Sequence, residues 1–212
     1  MEMLGAFTMA VVALMVVPGP DMVYCISNGL SYGKRGAFYS AIGVGLGGLV
    51  LTFATAGIIY AAHGVDGRLT LTIQIGGCIY LLYLSFIIIA SRQSKESAGN
   101  QATHATTRQM LTRGMITNIS NPKALVFFLS FIPQFIPVTA DNPALYSIWL
   151  GVLLCAIGVT MNFCFGLLGS VASPLDSVVI FNRSLGQILL SMVFFVVAIS
   201  FLINIYKITI HR

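Results

Sequence analysis

Long apolar stretches alternate with short polar ones along the chain, and six of them stand out. The first runs from about Leu4 to Ile26 and is interrupted by Pro18-Gly19-Pro20-Asp21. The second covers about Gly36 to Ala62 and the third about Leu69 to Ala90. After a polar stretch, Ser91 to Arg113, come the fourth (about Gly114 to Pro137), the fifth (about Ala144 to Ala172) and the sixth (about Leu185 to Tyr206). About 20 residues of helix cross the hydrocarbon of a bilayer. The runs are continuously apolar rather than alternating, which excludes β-barrel strands. The pattern predicts an all-α integral membrane fold with six transmembrane helices. One transmembrane transporter domain, 1–212, is expected. Residues 1–90 would form a first three-helix half, 91–113 a flexible cytoplasmic loop and 114–212 a second three-helix half.

Composition supports this reading. Of 212 residues, 57% are hydrophobic and 8% charged, against about 25% charged in ordinary soluble domains. A soluble globular protein and a disordered one are both excluded, and no room is left within the 212 residues for a soluble enzyme or ATPase domain. Met1-Glu2-Met3 lacks the positive start of a signal peptide, so the first stretch is expected to be retained. The four cysteines, Cys25, Cys78, Cys155 and Cys164, form no CxxC and read as small buried hydrophobes. No metal and no cofactor are expected.

The net charge of +5 comes without a dense basic run. It predicts no nucleic-acid partner and is better used for topology. Lys34, Arg35, Arg92, Lys95, Arg108, Arg113 and Arg183 fall on one side of the six-helix scheme; Arg68, Lys207 and Arg212 fall on the other. The richer side is cytoplasmic by the positive-inside rule, which places both termini in the periplasm. Tyr60, Tyr146, Trp149 and Tyr206 then gather at the outer interface.

Within the apolar stretches, Asp21 is the one acid and Lys123 the matching base, and each directly follows a proline. A charge at the bilayer centre costs about 2.5–3.5 kcal/mol on insertion scales. A proline removes a backbone donor and frees a carbonyl one turn earlier. Pro18, Gly19, Pro20 and Pro122 are therefore expected to break the first helix of each half. Two halves of three helices would lie in opposite orientations, the inverted-repeat plan of many secondary transporters; two unrelated kinks are the alternative. By residue count the depths of Asp21 and Lys123 differ by about 6 Å, so the two side chains could meet as a structural ion pair, or face the amino group and carboxylate of a small zwitterion. Asp21 is also the candidate proton carrier. His63, His104 and His211 lie at membrane edges or at the terminus and are not expected to couple protons.

Asn118, Asn121, Gln134 and Asn162, and less clearly Gln74 and Thr160, could line a route or simply bond neighbouring helices. Gly43 and Gly47 form a GxxxG that reads as close helix packing, and this Gly-rich face is a candidate homodimer surface. No Walker A, HExxH or GxSxG motif supports ATP drive or hydrolysis.

Three motifs carry a family resemblance. The first is Pro18-Gly19-Pro20-Asp21 with Gly33-Lys34-Arg35-Gly36 and the GxxxG of Gly43 and Gly47. The second runs from Gly76-Gly77 through Tyr80-Leu81-Leu82-Tyr83-Leu84. The third spans Gly114 to Ala124, with Asn121-Pro122-Lys123, and continues to Phe135. In this order and spacing the chain resembles the lysine exporter / homoserine-threonine resistance (LysE/RhtB) family of bacterial amino-acid exporters. The resemblance implies efflux of amino acids or related small metabolites across the bacterial inner membrane by proton antiport. One intramembrane acid and one base favour a neutral or hydroxylated zwitterion, such as a homoserine- or threonine-like one, over lysine. The expected partners are that amino acid, protons and the lipid bilayer. The alternatives are a membrane-embedded sensor or assembly subunit without transport, and an exporter of a non-amino-acid solute.

Overall fold

The computed structural model describes residues 2–16, 18–62, 105–137 and 140–171, with single helical positions at 79, 82, 83, 86, 192, 195 and 199. Among these residues the chain is entirely helical. Helix α1 spans Glu2–Val16, α2 Pro20–Ala62, α3 Thr107–Ile119, α4 Pro122–Val126 and α5 Pro143–Val171. Between α4 and α5 lie a π-helical turn, Phe127–Phe131, and a 3-10 turn, Ile132–Phe135. Helices α2 and α5 are long and apolar enough to cross a membrane. The pair α3 and Pro122–Phe135, bent by 56°, makes a third such segment. The third and sixth apolar stretches fall almost wholly outside the described residues.

Two boundaries differ from the sequence expectation. The polar run from Ser27 to Arg35 is not a loop between two helices. Helix α2 continues through it and breaks only at Gly33, whose φ of 63° lies in the left-handed region. Glycine enters that region without a Cβ penalty. A Cβ on Gly36 would run into the Asn28 carbonyl, eight residues back, which a straight helix would leave about 12 Å away. The chain therefore turns sharply at one residue, giving an arm of residues 20–32 and an arm of residues 34–62. The second correction concerns the loop expected over 91–113, whose last part is helical. Thr106 caps α3 by accepting from the Gln109 backbone N–H at 3.3 Å, and the Gln109 side chain accepts from the Thr106 N–H at 2.9 Å. This reciprocal capping box satisfies two otherwise orphaned donors and starts the helix at Thr107. Residues 91–104 lie outside the described set.

Small residues hold the body together, as they do where lipid removes the hydrophobic drive between helices. Gly43 and Gly47 face α3: a Cβ on Gly43 would stand 2.5 Å from the Leu111 carbonyl oxygen, and one on Gly47 2.7 Å from that of Met115. The GxxxG is thus used inside the chain, so it is not the exposed dimer surface considered above. Gly48 meets Cys155, and Gly151 meets Thr52, so the arm 34–62 runs antiparallel to α5. The arm and α3 run parallel. At one end of the antiparallel pair Tyr60 (74% exposed) and Trp149 (67% exposed) face outward. Cys25 and Cys155 are buried as expected, whereas Cys164 lies on the exposed face of α5; Cys78 is outside the described residues.

The main core joins α1, the arm 34–62, α4, the π and 3-10 turns and α5. Its centre is aromatic. Phe127 stacks on Phe131 at 4.1 Å between ring centroids, Phe131 meets Phe135 at 4.6 Å, and Phe7 lies edge-on to Phe135 at 5.2 Å. This column extends from the site described next along the non-α segment toward α5.

Candidate functional site

Two helix breaks build the site, and they share a backbone design. At the first, Pro18 and Gly19 are non-helical and α2 opens on Pro20. At the second, Asn121 is extended and α4 opens on Pro122. Proline suits the first position because its missing N–H would be unpaired there anyway. The following turn closes identically in both: Val23 N–H donates to the Gly19 carbonyl at 3.1 Å, and Leu125 N–H donates to the Asn121 carbonyl at 3.0 Å. Pro18, Gly19, Pro20 and Pro122 thus lie at helix breaks.

The charged residues after each proline face one another across a small set of amides. Asp21 Oδ2 accepts from Asn118 Nδ2 at 2.9 Å and from Asn121 Nδ2 at 2.9 Å. Asn121 Oδ1 in turn accepts from the Lys123 backbone N–H at 3.0 Å, capping α4. An ionised carboxylate is acceptor-only, which fixes both amides with nitrogen toward Asp21. Asp21 also lies in the first turn of α2, where the positive end of the helix dipole favours a carboxylate. Lys123 is buried, 8% exposed, and folds over the first break: a Cβ on Gly19 would stand 3.4 Å from its Cδ and 3.5 Å from its Nζ. Two buried acceptors, Asp21 Oδ1 and Asn118 Oδ1, have no hydrogen-bond partner among the described residues. Leaving such atoms unpaired costs about 1–3 kcal/mol each.

All these groups line one cavity of about 30 Å³. Five of the residues named from sequence, Asp21, Asn118, Asn121, Lys123 and Asn162, are on its wall. Asn162 is buried and also donates from Nδ2 to the Gly158 carbonyl at 3.0 Å. The rest of the wall is largely apolar: Leu14, Met15, Met22, Ala124, Phe127, Phe128 and Leu154. Nothing in their residue type separates them from core residues, and sequence reasoning missed them. Gln134 and Thr160 do not line the cavity. Gln134 Nε2 donates to the Ser130 carbonyl at 3.0 Å, and exposed Thr160 donates to the Ala156 carbonyl at 2.9 Å. Gln74 lies outside the described residues.

Apolar helices broken at mid-chain, with opposite charges and amides gathered at the breaks, match the plan by which many membrane transporters hold a substrate at discontinuous helices. The sequence comparisons specify which. The chain belongs to the LysE type translocator family, whose family model matches residues 12–205. It is 27% identical to a leucine efflux protein of Klebsiella pneumoniae over 75% of this chain and 73% of the relative. It is 26% identical to a leucine efflux protein of Salmonella typhimurium over the same shares. A leucine efflux protein of an Enterobacter species is 28% identical over 61% of each chain. No solved structure matches the chain. The family makes this protein a translocator, and the relatives it resembles are leucine efflux proteins.

Proposed function

We propose that this protein exports neutral amino acids with aliphatic side chains across the bacterial inner membrane in exchange for protons. The observation that carries the reading is the pair of unpartnered acceptors, Asp21 Oδ1 and Asn118 Oδ1, on a cavity that Lys123 also lines. An α-ammonium group supplies the donors these oxygens lack. The Lys123 ammonium answers the α-carboxylate. With one acid and one base matched to the zwitterion, no charge remains for a basic or acidic side chain. The apolar wall of Leu14, Met22, Phe127, Phe128 and Leu154 receives an aliphatic one. That wall, together with relatives named for leucine efflux, shifts the preference from a homoserine- or threonine-like substrate toward leucine.

Asp21 is the proton carrier in this scheme. Substrate release leaves its carboxylate without the ammonium, and a proton takes that place before the return step. A cavity of about 30 Å³ holds roughly two water molecules and no amino acid. Transport therefore requires each side to open in turn around the fixed residues, which is alternating access. The lysine and arginine distribution supports an orientation with the start of α3 on the cytoplasmic side and both termini in the periplasm.

Counterflow in proteoliposomes tests the reading. Vesicles preloaded with unlabelled leucine are expected to speed uptake of labelled leucine, and an imposed pH gradient to drive net flux. Failure of every amino acid to accelerate uptake, with folded protein, would move the assignment to another solute.

A further inference from the structure

The wall that α5 presents to the cavity has a gap in its middle. Leu154 and Asn162 both line the cavity, and Gly158 stands between them, one helical turn from each. Gly158 is buried, and its carbonyl is held by the Asn162 amide. The space its missing side chain leaves is bordered from another helix. A Cβ on Gly158 would stand 3.4 Å from Met15 Cε and 3.9 Å from Met15 Sδ. Met15 lies in the last turn of α1, just ahead of the break at Pro18 and Gly19, and it also lines the cavity. A methionine side chain is unbranched, with three rotatable bonds, and moves with little strain.

We infer that the slot over Gly158 is the subsite for the substrate side chain, with Met15 its tethered occupant in the closed cavity. This inference rests on the amino-acid export proposed above. Leucine and methionine exchange in protein cores with little cost because their volumes and polarity match. A slot that holds the Met15 thioether therefore has the size and chemistry for the side chain of leucine or methionine. Entry of such a substrate swings Met15 aside and refills the same space. Alanine leaves the slot unfilled. A phenylalanine ring exceeds it while Met15 remains.

The test uses the full-length protein in proteoliposomes, with unlabelled alanine, leucine, methionine and phenylalanine competing against labelled leucine. One methylene in an apolar pocket is worth about 10–200-fold in discrimination. Gly158→Ala is expected to weaken competition by leucine and methionine about tenfold or more, while alanine changes about twofold or less. The added methyl meets Met15 at ordinary contact distance, so the variant should fold. Met15→Ala is expected to raise phenylalanine relative to leucine about tenfold. Ratios between substrates in the same vesicles do not depend on how much protein is folded. Leucine-to-alanine and phenylalanine-to-leucine ratios unchanged from the parent protein would overturn the subsite while leaving amino-acid export intact. A parent protein that moves no amino acid would instead overturn the export reading on which the subsite rests.

Discussion

The breaks at Gly19-Pro20-Asp21 and Asn121-Pro122-Lys123 begin with the same turn and the same proline, and then diverge. After Asp21 the arm runs as α-helix to residue 32, and the helix resumes beyond Gly33 to Ala62. At Lys123 the α-helix is only five residues long, Pro122–Val126, before the backbone passes into π and then 3-10 geometry. The sign of the charge accounts for part of the contrast. A carboxylate at a helix N-terminus gains about 0.3–1 kcal/mol from the dipole, and an ammonium there loses a similar amount. The second break consequently leans on borrowed support. Asn121 caps its own helix through Oδ1 and reaches across to Asp21 through Nδ2. The first break has a favourable charge in place; the second is held by a side chain that the first also uses. Two similar motifs thus give one well-anchored helix start and one that depends on its partner.

The sharpest way to break this comparison is to remove its charges. Asp21→Asn keeps shape but loses the carboxylate on which two amides and the proposed ammonium converge. Charge-assisted hydrogen bonds are worth about 1.5–3 kcal/mol each, so export should fall about a hundredfold or more in counterflow. Lys123→Met should come close behind, because it keeps the apolar stem against Gly19 and loses only the charge. Exchanging the two residues restores charge balance but reverses both dipole interactions; the double variant should insert in the membrane and still fail to transport. Normal transport by either single variant would sink the site assignment.

Smaller effects sharpen it further. Asn121→Ala removes a cap worth about 0.5–2 kcal/mol together with one Asp21 bond, whereas Asn118→Ala removes a bond alone. Thermal unfolding in detergent should show the former as the less stable of the two; the reverse order would contradict the dependence of the second break on Asn121. Gly47→Ala places a methyl 2.7 Å from the Met115 carbonyl and 2.8 Å from Asn118 Cβ. Overpacking of this kind costs about 1–3 kcal/mol and should pull Asn118 from Asp21, lowering export by about tenfold or less. The least effect is expected at Gly33→Ala. No described residue crowds that position, so only the backbone is penalised, whose φ of 63° and ψ of −153° suit glycine almost alone, by about 1–3 kcal/mol. Stability should drop with substrate preference unchanged.

Much of the polar lining of the candidate site was legible because membrane burial leaves polar groups few choices. Asp21, Asn118, Asn121, Lys123 and Asn162 are expensive in an apolar run, and expense forces them toward one another. Gln134 and Thr160 show the limit of that logic, since each satisfies itself on a carbonyl one turn back. The apolar half was not legible: Met15 and Phe128 look like any core residue until α1, α4 and α5 are brought together. Gly158 could have been noticed from its place between Leu154 and Asn162, yet a glycine in a membrane helix is commonplace. The turn at Gly33 was hidden because polar residues around it read as a loop, although one left-handed glycine sufficed. The start of α3 was written in Thr106 and Gln109, but the low hydrophobicity of the next residues outweighed it. The GxxxG reported close packing correctly and said nothing about which helix would fill it.

The small cavity and the stacked rings beside it also have an electrical meaning. Two water molecules are too few for a chain along which protons could hop from one face of a bilayer to the other, and Phe127, Phe131, Phe135 and Phe7 add a dry segment on one side. Among the described residues, the small cavity and these rings offer no continuous path for protons. Ions leak through a pore whenever it is open; under the exchange proposed above charge would cross only as part of a completed cycle, so a membrane could hold many copies without discharging the voltage across it.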